Sequence, residues 1–175
     1  MRVWDRVIRG LHWTLVVSVA IAWLSTLWFY GLHEGAGYVA LAVVLLRLLW
    51  GFSGPRYARF AQFVRGPRAT WRYSKLTARG DEPRHIGHNP LGAWMVLALL
   101  GCVLGLGVTG WLYRSDWLWG DETVELVHQT LARLLLGLIA LHVGGVVFTS
   151  RRQRENLIAA MFSGRKRAAS AGDVD

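Results

Sequence analysis

ELVHQTLARLLLGLIALHVGGVVFT, residues 125–149, is an apolar run long enough to cross a bilayer, and it carries two histidines, His128 and His142, fourteen residues apart. On an α-helix turning about 100° and rising about 1.5 Å per residue, fourteen steps climb roughly 21 Å and stop about 40° short of four full turns. Both imidazoles therefore share one stripe, near opposite ends of a rod matched to a hydrocarbon core about 30 Å thick. Polar side chains are costly at that depth and usually functional.

The rest of the chain reads the same way. Of 175 residues 53% are hydrophobic and only 18% charged, which sets it apart from ordinary soluble domains. Ten tryptophans, most of them near the ends of the apolar runs, match the aromatic belts of membrane interfaces. Four runs are predicted to span, at residues 7–29, 33–52, 90–113 and 125–149, giving an all-α membrane protein: a four-helix transmembrane bundle, up-down-up-down. A tight connection at residues 30–34 makes the first two spans antiparallel neighbours. The basic N-terminus followed by an apolar run looks like a signal peptide but has no convincing cleavage site, so it is read as an uncleaved first span.

The net charge of +9 could suggest nucleic acid, but its distribution excludes that class. Eighteen of the twenty basic residues lie at or before the start of the first span, around the central loop or after the fourth span, all on one face of a four-span chain. By the positive-inside rule both termini and the loop are cytoplasmic. The central segment, residues 53–89, interleaves aromatics with arginines. Pro67 at a first helical position predicts a short amphipathic helix over residues 67–78, lying on anionic lipid. Asn89 and Pro90 form an N-cap and first-position proline for the third span, in which Gly101 and Gly105 permit either close helix approach or room for a flat cofactor. Residues 1–167 read as a single domain and 168–175 as a frayed polar tail. The lone Cys102 allows no disulfide or Cys-rich metal site and is read as a packing residue.

This topology sorts four of the six histidines by depth. His12 and His142 lie toward the cytoplasmic ends of spans one and four, His33 and His128 toward the outer ends of spans two and four. A lone histidine in a membrane helix is more often a hydrogen-bonded packing residue, but two facing pairs match bis-imidazole ligation of haem iron inside a bundle. Zinc or copper would want three or four ligands at one depth. Two b-type haems, one on His33/His128 and one on His12/His142, fit better. Arg47, fourteen residues after His33, either reaches a haem propionate or snorkels to headgroups. Arg133 is turned roughly 140° from His128 and is a weaker propionate candidate. His85 and His88 read as solvated loop residues, with a haem edge or a quinone as the alternative for His88.

The stretches RVIRGLHW around His12, HEGAGYVALAVVLLRLLWGFSGPRYARFAQFVRGP from His33, GHNPLGAWM from Gly87 and VHQTLARLLLGLIALHVGG around His128 and His142 together resemble the bacterial cytochrome b561 family of four-span dihaem membrane proteins, related to the b-type cytochrome subunit of nickel-iron hydrogenases. The resemblance covers about residues 3–167. It implies two b haems held by the four span histidines, and electron exchange between a quinone and an outer-face redox partner such as a soluble cytochrome or a hydrogenase. Hydrogenase subunits usually carry a further span; the four-span members, including those that pass electrons from superoxide to ubiquinone, are more similar. A superoxide-to-ubiquinone oxidoreductase and a non-redox scaffold are the competing functions. Membrane lipid is a partner on any reading, and the sequence leaves open a homodimer or a larger complex.

Overall fold

The computed structural model describes residues 1–26 and 28–175. The described residues are all-helical, with two isolated β-bridges and no strand. The helices are α1 (Arg6–Ser25), α2 (Tyr30–Ser53), α3 (Phe60–Phe63), α4 (Pro67–Arg79), α5 (Pro90–Arg114), α6 (Glu122–Arg152) and α7 (Leu157–Ser163), with a 3-10 turn at Arg56–Ala58. Four of them, α1, α2, α5 and α6, are long and apolar enough to cross a membrane, the content of a four-helix transmembrane bundle.

Three of the four long helices start on a side-chain cap. Asp5 Oδ1 accepts the backbone N–H groups of Val7 and Ile8 at 2.8 and 3.0 Å, capping α1. Asn89 Oδ1 accepts from Gly92 N–H at 2.7 Å ahead of α5, and Asp121 Oδ1 accepts from Thr123 and Val124, both at 2.9 Å, ahead of α6. Glu122 and Glu125 in the first turn of α6 and Arg151 and Arg152 in its last complement the helix dipole at both ends. α4 opens on Pro67 and closes on Gly80, whose φ of 88° is open to glycine at little cost.

Two features depart most from the sequence reading. α1 ends at Ser25 and α2 begins at Tyr30, so the expected turn at 30–34 is helical and the chain reverses earlier. Leu27, inside the expected first span, lies outside the described residues. At this ending the Ser25 carbonyl accepts from the Phe29 N–H at 2.9 Å, and the Thr26 hydroxyl donates to the Trp23 carbonyl at 2.7 Å. The expected connection contains glycine, but a glycine inside an apolar span need not turn the chain. The second difference is the polar tail, which is tied down.

The chain divides into two compact units. One comprises Met1–Arg9, Leu49–Leu97 and Ala140–Asp175. Its core is Val3, Trp4, Ile8, Ala58, Ile86 and Ala160, with Trp50, Tyr57 and Met161 against it. Charged side chains clamp it. Arg84 is ion-paired to Glu155 at 2.8 Å and to Asp173, all three side chains nearly buried. The Arg167 N–H donates to Glu155 at 2.7 Å, and the Lys166 ammonium to the Gly87 carbonyl at 3.3 Å. Asp173 is thus held by Arg84, Val174 bridges His85, and Asp175 accepts from the Tyr57 hydroxyl at 2.8 Å. Residues 173–175 are fixed by these partners instead of fraying. Burial costs the Glu155 carboxylate solvation, but its hydrogen bonds to Arg84 and Arg167 outweigh that and hold its pKa below the usual value.

The other unit comprises Gly10–Leu48 and Ala98–Ile139. Along α2 the buried residues Ala36, Ala40, Val43, Val44 and Arg47 recur at helical spacing, a single inward stripe that His33 continues by one further turn. Glycines bring helices close: a Cβ on Gly107 would stand 2.7 Å from Leu41 Cδ1, and one on Gly105 would stand 3.0 Å from Leu131 Cδ1. Gly101 faces open space, so the two glycines of the expected close-approach motif part company. Cys102 is buried, its thiol donating to the Leu131 carbonyl at 3.3 Å.

Candidate functional site

His33 and His128 come together. Their ring centroids are 6.2 Å apart with planes at 71°. His33 lies in the first turn of α2, and its Nδ1 is 2.8 Å from the Ala22 carbonyl oxygen on α1. A carbonyl can only accept, so Nδ1 carries the proton and Nε2 keeps its lone pair. His128, on the second turn of α6, is fixed by a different device. Its Nδ1 is 2.9 Å from Thr109 Oγ1, and the Thr109 hydroxyl proton goes to the Gly105 carbonyl at 2.8 Å. With that proton committed, the hydroxyl oxygen accepts from Nδ1–H, and Nε2 of His128 is also the lone-pair nitrogen. Gly110 lies beside the same ring, where a Cβ would stand in ordinary contact at 3.4 Å from His128 Cε1.

Two imidazoles with protonated Nδ1 and basic Nε2 at this separation could together hold one metal ion. Metal–imidazole bonds are about 2 Å long, and adding about 1 Å from each nitrogen to its ring centre gives centroids roughly 6 Å apart. The 6.2 Å separation fits a bis-histidine iron. No group of three or more His, Cys, Asp or Glu suited to a metal ion occurs among the described residues, so the pair does not belong to a larger cluster of the zinc or copper kind.

The other expected site residues are distributed between the two units. His12 is half-buried on α1, its ring edge-on to Trp13 with centroids 5.0 Å apart. His142 is half-buried on α6, seven residues after Leu135, the buried anchor of that helix, which in turn is seven after His128. The three positions form one stripe, as the sequence spacing required. Arg47 is 9% exposed on the inward stripe of α2, so it does not project outward as a snorkelling side chain would. Arg133 is exposed and reaches Gln129, with Nη2 to Oε1 at 3.4 Å, consistent with its turn away from His128.

His85 and His88 correct the expectation of solvated loop residues. His88 stands between Trp4 and Phe63, with centroids at 4.7 and 4.5 Å, and His85 stands edge-on to Tyr73 at 5.1 Å with Nδ1 3.2 Å from the Pro83 carbonyl. Burial lowers the His85 pKa, with the positive charges of Arg65 and Lys166 acting in the same sense and the Pro83 carbonyl opposing them. Both rings are covered because the segment around them is folded into the unit held by the Arg84 clamp.

Thr109 and the Ala22 carbonyl escaped the sequence reading. A backbone carbonyl has no sequence signal. Thr109 had a faint one, being the one Ser or Thr in the apolar α5.

A family model described as prokaryotic cytochrome b561 matches residues 3–164, nearly the whole chain. The chain belongs to the prokaryotic cytochrome b561 family. It is accordingly a multi-pass membrane protein of the b-cytochrome class, and b-type haem and electron transfer are the family's chemistry. A bare scaffold with packing histidines is a poor description of a member of a haem-binding family. No curated protein and no solved structure matches the chain.

Proposed function

We propose that this cytochrome holds two b haems and carries electrons across a bacterial inner membrane between an outer-face redox partner and the quinone pool. His33 and His128 would hold the outer haem iron, His12 and His142 the inner, and Arg47 would be a partner for a propionate of the inner haem. The observation that carries this reading is the His33/His128 pair: two rings on different helices at 6.2 Å, each with Nδ1 engaged and Nε2 basic.

Bound haem supplies reversible one-electron chemistry at iron. The chain's residues define the setting. Ala22 and Thr109 hold the tautomer and orientation of the two outer ligands, as partners of metal-bound histidines generally do. The apolar α2 stripe excludes water, and the buried Arg47 places a positive charge where a carboxylate can use it. Two histidine ligands per iron leave no open position, so relay of electrons is favoured over oxygen activation at iron.

The test is reduction of the purified, detergent-solubilised protein by a water-soluble quinol, followed at the haem absorption bands. Quinol-driven reduction that is lost in His142→Ala supports the proposed route. A protein reduced by superoxide but inert to quinol overturns it in favour of electron entry from superoxide, and one reduced by neither overturns the quinone link altogether.

A further inference from the structure

The last two turns of α6 carry a feature that electron transfer does not use. Gly144, Val147, Phe148, Arg151 and Arg152 line an open trough of about 460 Å³. At about 100° per residue, Gly144, Val147, Phe148 and Arg151 lie roughly 140–240° round the helix from His142, on its opposite side. The trough is apolar along its floor and basic at its end.

Its two arginines differ. Arg152 is held by Glu82, Nε to Oε1 at 2.9 Å, with its guanidinium 6.0 Å from the centre of the Phe148 ring, and its Nη2 lies close to Gly80. That pair fixes the wall of the trough and neutralises one charge. Arg151 is exposed, and its guanidinium makes no ion pair or hydrogen bond among the described residues. Gly144 has nothing within 4 Å of where a Cβ would be, so the floor is open along the helix. α4, which ends at the Gly80 cap beside Arg152, presents Arg68, Arg72, Lys75 and Arg79 at helical spacing, with Trp71 among them and Lys75 5.3 Å from its ring.

We propose that this trough binds an anionic glycerophospholipid, with an acyl chain along Gly144, Val147 and Phe148 and the phosphate at Arg151. An apolar floor running into an unpaired cation at the end of a spanning helix matches the order of a lipid's own parts, tail then headgroup. The cationic face of α4 raises the local concentration of anionic lipid beside it, since each basic residue near a charged leaflet attracts it. A soluble anion would use the arginine but leave the apolar floor exposed to water. The inference requires only that α6 crosses the membrane, and it stands apart from what the histidines hold.

The experiment is native mass spectrometry of the haem-loaded protein released from bilayers of equal phosphatidylglycerol and phosphatidylcholine. Wild type is expected to retain the anionic lipid in preference. Arg151→Gln should lower phosphatidylglycerol retention roughly fivefold, the effect of about one lost headgroup charge contact, with little change for phosphatidylcholine. Gly144→Phe, which fills the floor, should lower retention of both, and Arg133→Gln should change neither. Equal retention of the two lipids by wild type, wild-type retention in Arg151→Gln, or release of the lipid by excess inorganic phosphate would overturn the proposal. If Gly144→Phe fails to fold, as judged by circular dichroism, Arg151→Gln alone decides.

Discussion

Thr109 Oγ1 lies 2.9 Å from His128 Nδ1 and donates its own proton to the Gly105 carbonyl at 2.8 Å, so the hydroxyl serves the imidazole as an acceptor. Thr109→Val keeps the shape and removes the acceptor. The imidazole then loses this acceptor, at about 0.5–1.5 kcal/mol for one hydrogen bond, and weakening such a partner of a ligand histidine typically costs about 10–100-fold in metal-site affinity. Haem retention at the outer site should fall and its midpoint potential rise, because a less basic imidazole stabilises the oxidised iron less. Thr109→Ser should restore both. A potentiometric titration of the variants checks this, and a potential unmoved in Thr109→Val would remove Thr109 from the site.

Gly107 sits against Leu41, and a Cβ there would be 2.7 Å from Cδ1 and 3.0 Å from Cβ of that side chain. The leucine's own Cβ cannot swing away, so Gly107→Ala should destabilise by about 1–3 kcal/mol, as overpacking usually does. Gly101→Ala meets nothing within 4 Å and should be neutral or slightly stabilising through helix propensity. Thermal unfolding of the two variants in the same detergent separates them, and equal effects would contradict the close approach at Gly107.

Arg84 joins the central segment to the residues after α6 through Glu155 and Asp173. Arg84→Met leaves two carboxylates without their cation, and breaking one side of a buried pair costs up to about 3–5 kcal/mol. Limited proteolysis should then cut residues 165–175 faster than in wild type. Unchanged cleavage would mean the clamp does not hold that segment.

The Lys166 amine is nearly buried, and desolvation pushes its pKa down from 10.5 to about 8. Between those values the unfolded chain binds more protons at this site than the folded one, so stability rises with pH across that window. Tyr73, whose hydroxyl burial pushes up to about 12 from 10.0, acts in the opposite sense above its unfolded value. The unfolding temperature should therefore increase from about pH 8 to about pH 9.5 and flatten beyond. Lys166→Met should abolish the increase; an equal rise in that variant would assign it elsewhere.

Local patterns made much of the fold legible in the sequence. Pro67 placed α4, Asn89 and Pro90 placed α5, and the fourteen-residue spacings put His128 with His142 and His33 with Arg47 on single stripes. What escaped depends on distant partners. The clamp of Arg84 on Glu155 spans 71 residues and has no periodic signature, yet it orders the tail and covers His85 and His88. Thr109 and His128 are nineteen residues apart on different helices, and only their helices' approach makes the hydroxyl a partner. The turn after α1 comes earlier than the apolar run predicts, and the hydrogen bonds onto the Ser25 and Trp23 carbonyls there follow from backbone geometry that hydropathy does not encode.

The most direct measurement is the haem-to-chain ratio of purified protein by pyridine haemochromogen, in wild type, His128→Ala and His142→Ala. Two haems per chain are expected in wild type and one in each variant, with the remaining haem differing between the two in absorption maximum and potential. A ratio of one in wild type, or two full haems in either variant, would contradict the pairing of four histidines around two irons.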